Sequence, residues 1–164
     1  DRRKDRSNMR WTNIDLNFDR QQLLDVFNNY RKDHERIYSN ESGDQPISLL
    51  APPVKGYCEQ LERKFNYVRD SYYLVSSGYH PHIDDRRQCI ISFELKNDHQ
   101  IPLKFYDPDE EVFHKQPVMW NTTILHGSDP SPSERIFFQI ELEDDKPFEF
   151  YLKKYQNDEL FNKS

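Results

Sequence analysis

At 164 residues the chain is long enough to bury a sizeable core, and one domain spanning 1–164 is expected. Apolar residues make up only 35%, yet aromatics reach 14%, which suits a core of large rings and a cavity lined by tyrosines. With 29 acidic against 23 basic residues the formal charge is -6, which argues against a broad basic surface for gripping nucleic-acid phosphates.

Nothing approaches the roughly 18 apolar residues of a membrane span, and no secretory signal is visible. Cys58 and Cys89 lack metal-type spacing and read as buried free thiols, which suits a reducing compartment. A soluble, cytoplasmic protein is expected, with the basic opening Arg2-Arg3-Lys4 a solvated terminus.

Residues 1–13 look irregular. Asp19 can cap a helix running to about Ile37, because Leu23, Val26, Phe27 and Tyr30 recur at helical spacing. Residues 39–46 read as a loop and Ile47–Leu50 as a short strand. Pro52 and Pro53 then open a second helix to about Asn66, striped by Tyr57, Leu61 and Phe65. Both stripes face the core. From Val68 onward the chain turns to short β-branched and aromatic runs: Ser71–Ser76, Arg87–Leu95, Ile101–Tyr106, Val118–Leu125, Arg135–Leu142 and Phe148–Leu152. Helices followed by strands predict an α+β fold, with 1–66 as helical support packed on one sheet and 67–155 as a jelly-roll core. Such a double sheet leaves a mouth between its layers.

Two stretches carry the chemistry. In Tyr79-His80-Pro81-His82-Ile83-Asp84, an extended backbone turns His82 and Asp84 to the same side. His126, at the end of the apolar run from Trp120, can add a second imidazole from a facing strand. Two imidazoles and one carboxylate leave open positions on a divalent iron, whereas a closed structural zinc site needs four ligands, usually with cysteine. Arg135 enters a strand among Ile136, Phe137, Phe138 and Ile140, so its guanidinium should be buried. A buried cation needs an anion: Glu134, Glu141, another acidic side chain, or the carboxylate of a ligand held by the planar fork.

The lesser candidates are quickly placed. His80 competes with His82 as a ligand if the strand extends backward, though Ser76-Ser77-Gly78 and Pro81 suggest a turn. His34, His99 and His114 read as surface residues. Arg86 or Arg87 serves as a substrate anchor or as part of a solvated turn, Trp120 as core, and Asn121 as a weak pocket candidate.

The pattern His-x-Asp, distal His and downstream Arg resembles the Fe(II)- and 2-oxoglutarate-dependent dioxygenases, and Tyr79–Asp84 is most similar to their prolyl-hydroxylase-like branch. The resemblance covers roughly residues 70–142. It implies His82, Asp84 and His126 as iron ligands and Arg135 as partner of the distal carboxylate of 2-oxoglutarate. Tyr72 stands where related enzymes place a tyrosine on the co-substrate, with Tyr73 an equal candidate by register. Many relatives carry Ser or Thr two positions after the Arg. Phe137 stands there, leaving Tyr106 or another hydroxyl to take that part. Related halogenases replace the carboxylate ligand, so Asp84 implies hydroxylation instead. The second Arg of the DNA-repair relatives is missing. The expected activity is hydroxylation of an unactivated C–H of a small-molecule or peptidyl substrate by O2, with succinate and CO2 as co-products. The alternatives are a non-catalytic jelly-roll binding module and a cupin-like metal enzyme that does not use 2-oxoglutarate.

Overall fold

The computed structural model describes residues 9–31, 36–42, 45–50 and 56–163. The strands are β1 (Trp11–Asn13), β2 (Arg36–Ser42), β3 (Gln45–Leu50), β4 (Val68–Ser76), β5 (Tyr79–His82) and β6 (Cys89–Lys96). They continue as β7 (Leu103–Phe105), β8 (Glu110–Val112), β9 (Val118–Asn121), β10 (His126–Ser128) and β11 (Arg135–Leu142). The helices are α1 (Arg20–Tyr30), α2 (Tyr57–Glu62) and α3 (Phe148–Gln156).

One sheet has the order β1-β9-β6-β11-β4-β3-β2 and the other the order β5-β10-β7-β8, with antiparallel pairing throughout. The period of two along β11 sorts the larger sheet into two faces. Ile136, Phe138, Ile140 and Leu142 join Tyr73, Val75, Ile91 and Phe93 in a core closed by Leu23 and Phe27 of α1, Leu61 of α2, and Phe148 and Tyr151 of α3. Arg135, Phe137, Gln139 and Glu141 alternate with these and take the other face. A smaller apolar cluster of Ile90, Leu103, Phe105, Val112, Val118 and Trp120 joins residues of both sheets.

Several boundaries differ from the sequence reading. α1 starts as expected, with the Asp19 carboxylate accepting from the Gln22 N–H at 3.1 Å, but it ends at Tyr30. Residues 36 and 37, expected to be helical, belong to β2. Most of the expected loop 39–46 is a hairpin in which Asn40 pairs with Ile47 and Glu41 with Pro46. Backbone ladder bonds do not require apolar side chains at a sheet margin, so this polar stretch carries no strand pattern. Among the described residues of 1–66 there are therefore three strands as well as two helices. Pro52 and Pro53 lie outside the described residues. α2 begins instead after Gly56, whose φ of 104° suits glycine, and ends at Glu62 rather than Asn66.

Phe148–Leu152, expected as a strand, lies in α3. Phe148, Tyr151 and Leu152 fall at helical spacing and are buried, and the Tyr155 hydroxyl accepts from the Asp15 N–H at 2.8 Å. Cys58 and Cys89 are buried free thiols. Among the described residues no helix is long and apolar enough to cross a membrane.

Candidate metal centre

The apolar run before His126 stops short of it. β9 ends at Asn121, whose side-chain oxygen accepts from the Thr123 N–H at 2.9 Å and from its hydroxyl at 2.6 Å. This local turn competes with the strand ladder and returns the chain to the other sheet. His126 thus enters not from the strand that carries Trp120 but from β10, in direct register with His82 of β5. Gly127 allows the close approach, because a Cβ there would meet Pro81 N at 3.1 Å and the Tyr106 hydroxyl at 3.2 Å.

Asp84 lies just past β5, with its N–H donating to Thr122 O at 3.0 Å. One ligand atom from each of His82, Asp84 and His126 lies within 4.8 Å of the others. His82 Nε2 is 3.2 Å from Asp84 Oδ1, and His126 Nε2 is 3.8 Å from Asp84 Oδ2. Each ring nitrogen Nδ1 sits 2.8 Å from a main-chain carbonyl, His80 O for His82 and Ile124 O for His126. A carbonyl only accepts, so both Nδ1 atoms carry the proton, and each ring in its neutral form presents an Nε2 lone pair on the side of the carboxylate. With both Nε2 atoms deprotonated, the two imidazoles and the carboxylate form a donor set that fits a divalent metal with open positions.

The three sites are unequally buried, with side-chain exposures of 40% for His82, 12% for Asp84 and 1% for His126. Trp120 packs its ring 4.7 Å from that of His126, while its Nε1–H donates to the Ser92 hydroxyl. Burial holds His126 down at about 4, against the pull of Asp84. The Asp84 contact raises His82 above its ordinary value. Burial pushes Asp84 itself up, but His82, Arg87 and His126 outweigh it and hold the carboxyl below its usual range.

Arg135 is 1% exposed. Its Nη1 donates to the Ser128 hydroxyl at 2.5 Å and its Nη2 to Asp129 O at 3.3 Å, while Nε has no partner. Glu134 is engaged with Arg31 at 2.5 Å, and Glu141 lies 4.0 Å from Arg87 instead. Among the described residues no carboxylate is within ion-pair distance of Arg135, so the structural ion pair weighed from the sequence is not formed there. Burial lowers its pKa accordingly. The hydroxyl beside the guanidinium belongs to Ser128, not to Tyr106. Tyr79 was given no role from the sequence. It lies near Arg135, which acts on its charge, and its ring is 5.5 Å from that of His82. Burial pushes its phenol up to about 12.

The two tyrosine candidates separate by strand parity. The Tyr72 hydroxyl accepts from Arg87 Nη1 at 2.6 Å, on the metal side of the sheet. Tyr73 points the other way, donating to Leu23 O at 2.9 Å with its hydroxyl 3.3 Å from Cys58 Sγ. It belongs to the core, on the face of the sheet away from the His-Asp-His cluster. Arg87 turns inward while Arg86 is exposed. The side-chain oxygen of Asn121 is engaged in its turn. His80 and His99 are exposed, and His34 lies outside the described residues. His114 is not a surface residue: its side chain is 6% exposed, its ring packs 5.4 Å from Phe137, and Nε2 has no partner.

The sequence matches no family profile and no curated protein. Among solved structures it is similar to the crystal structure of a Pseudomonas putida prolyl-4-hydroxylase, with a TM-score of 0.60 and 14% identity over 85% of this chain and 96% of that one. The likeness is one of fold, mostly antiparallel sheets with few helices.

Proposed function

We propose that the chain is an Fe(II)- and 2-oxoglutarate-dependent oxygenase on a double-stranded β-helix core, hydroxylating an unactivated C–H of a small-molecule or peptidyl substrate. The observation that carries this reading is Arg135, a buried guanidinium that hydrogen-bonds to neutral oxygens and feels Glu94 and Asp129 only from beyond ion-pair distance, beside a His-Asp-His cluster. Leaving a cation buried without an anion costs several kcal/mol, on the order of a whole domain's margin of stability. A dicarboxylate that reaches the metal with one end and Arg135 with the other removes that cost. This favours 2-oxoglutarate use over a cupin-like centre or a non-catalytic module, neither of which gives the guanidinium a partner.

His82, Asp84 and His126 would hold the iron. When bound, it supplies oxidative chemistry in which substrate, 2-oxoglutarate and O2 become hydroxylated substrate, succinate and CO2. Arg135 binds the distal carboxylate through its fork, with Ser128 and the neutral phenol of Tyr79 beside it. Trp120 shields the His126 side of the cluster from water, whereas the exposed His82 edge faces solvent and the arriving substrate. Anaerobic addition of Fe(II) and 2-oxoglutarate tests the reading. A visible metal-to-ligand charge-transfer band is expected, and its absence with both present overturns the assignment.

A further inference from the structure

Resting on that reading, we propose that Arg87 is the positioning residue of the metal centre. It occupies one oxygen of Asp84 so that the carboxylate offers the ion the other. Arg87 Nη2 donates to Asp84 Oδ2 at 2.9 Å, while Oδ1 faces His82 Nε2. A free carboxylate can close on an ion with both oxygens and so consume a coordination position needed for other ligands. A guanidinium fixed on one oxygen prevents that.

Arg87 is itself held from three directions. Nη1 donates to the Tyr72 hydroxyl at 2.6 Å, and Nε lies 4.0 Å from a Glu141 oxygen, so β4 and β11 both aim the fork. Its carbonyl accepts from the Thr122 hydroxyl at 2.7 Å, tying its main chain to the segment that leads into His126. An ordinary surface pair three residues apart would be solvated and loose. Here the arginine side chain is 26% exposed and the aspartate 12%. Tyr72 thereby gains a role different from direct contact with a co-substrate: its phenol orients the arginine that orients the ligand.

The test is Co(II) titration of the full chain, followed by the visible d–d spectrum, with wild type, Arg87→Gln, Arg87→Lys and Tyr72→Phe. Arg87→Gln is expected to weaken Co(II) binding about 10- to 100-fold and to alter the spectrum as Asp84 changes its mode of coordination. Arg87→Lys keeps the charge without the fork, so it should lose less affinity; it carries the test if the glutamine variant does not fold. Tyr72→Phe should weaken binding in the wild-type background and have no effect beside Arg87→Gln. A folded Arg87 variant with wild-type affinity and spectrum overturns the proposal, as does an equal Tyr72→Phe loss in both backgrounds. If wild type itself binds no Co(II), it is the oxygenase reading that fails.

Discussion

Thr122 grips the segment that begins at Asp84: its carbonyl accepts the Asp84 N–H at 3.0 Å, and its own N–H donates to Gln88 O at 3.3 Å. Its hydroxyl adds the bond to the Arg87 carbonyl. One fully buried residue thus ties the carboxylate segment to the stretch that precedes His126.

Thr122→Val keeps the shape and removes the hydroxyl. The Arg87 carbonyl loses its donor, which should cost about 1–3 kcal/mol of stability. Urea unfolding of the metal-free protein measures this. A cost within error of zero would mean that water replaces the hydroxyl and that the tie is not structural.

Arg135→Gln separates co-substrate binding from metal binding. Charge-assisted bonds to the fork contribute about 1.5–3 kcal/mol, so half-saturation of the charge-transfer band should need about 10- to 100-fold more 2-oxoglutarate. Co(II) affinity should be unchanged. The ligand-free variant should unfold no more readily than wild type, because a buried unpaired cation has been removed. Equal 2-oxoglutarate requirements in the two proteins would end the assigned role of Arg135.

Asp84→Ala and His126→Ala remove one donor each from a three-donor set. Both should abolish hydroxylation and bring Co(II) binding below detection at micromolar metal. An active Asp84→Ala variant would take that carboxylate out of the metal shell.

His114 gives the fold an acid limb. Burial lowers its pKa from 6.5 to about 4, so between those values the unfolded chain binds more protons than the folded one. Stability therefore falls as the pH drops through that window, by about 2 kcal/mol from pH 7 to pH 5. Glu94, 3.8 Å away and raised by burial, acts in the opposite sense. His114→Leu should remove its share of the loss between those two pH values in urea titrations, leaving the share of His126, which burial also holds at about 4. An unchanged slope would show that the imidazole reaches solvent.

The part of the site written as short motifs was legible from the residues. His82 and Asp84 come together as the His-x-Asp spacing suggests, although β5 ends at His82 and the Asp84 N–H is held by Thr122 O, and an arginine among Ile136, Phe137 and Phe138 had to be buried. What escaped depends on contacts between segments far apart in the chain. Arg87 reads as a substrate anchor or a solvated turn residue, because nothing near it in sequence reveals Tyr72 as its acceptor. Ser128 stands beside Arg135 through the pairing of strands, not at the spacing where a hydroxyl was sought. The fold followed the same division. β11 matched its apolar alternation at both ends, whereas the polar residues Ser39–Ser42 of β2 pair through the backbone with β3 and carry no such alternation. The short aromatic run at 148–152 fits either period until Tyr155 extends its stripe.

The missing side chain at Gly127 lets β5 and β10 lie close enough to bring the two imidazole centroids within 4.4 Å of each other. The β5–β10 pairing thus holds the two rings side by side through the backbone. Unlike small zinc modules, which unravel when stripped of metal, this protein should survive chelation with its far-ultraviolet dichroism intact and recover its ligand-binding capacity on reloading.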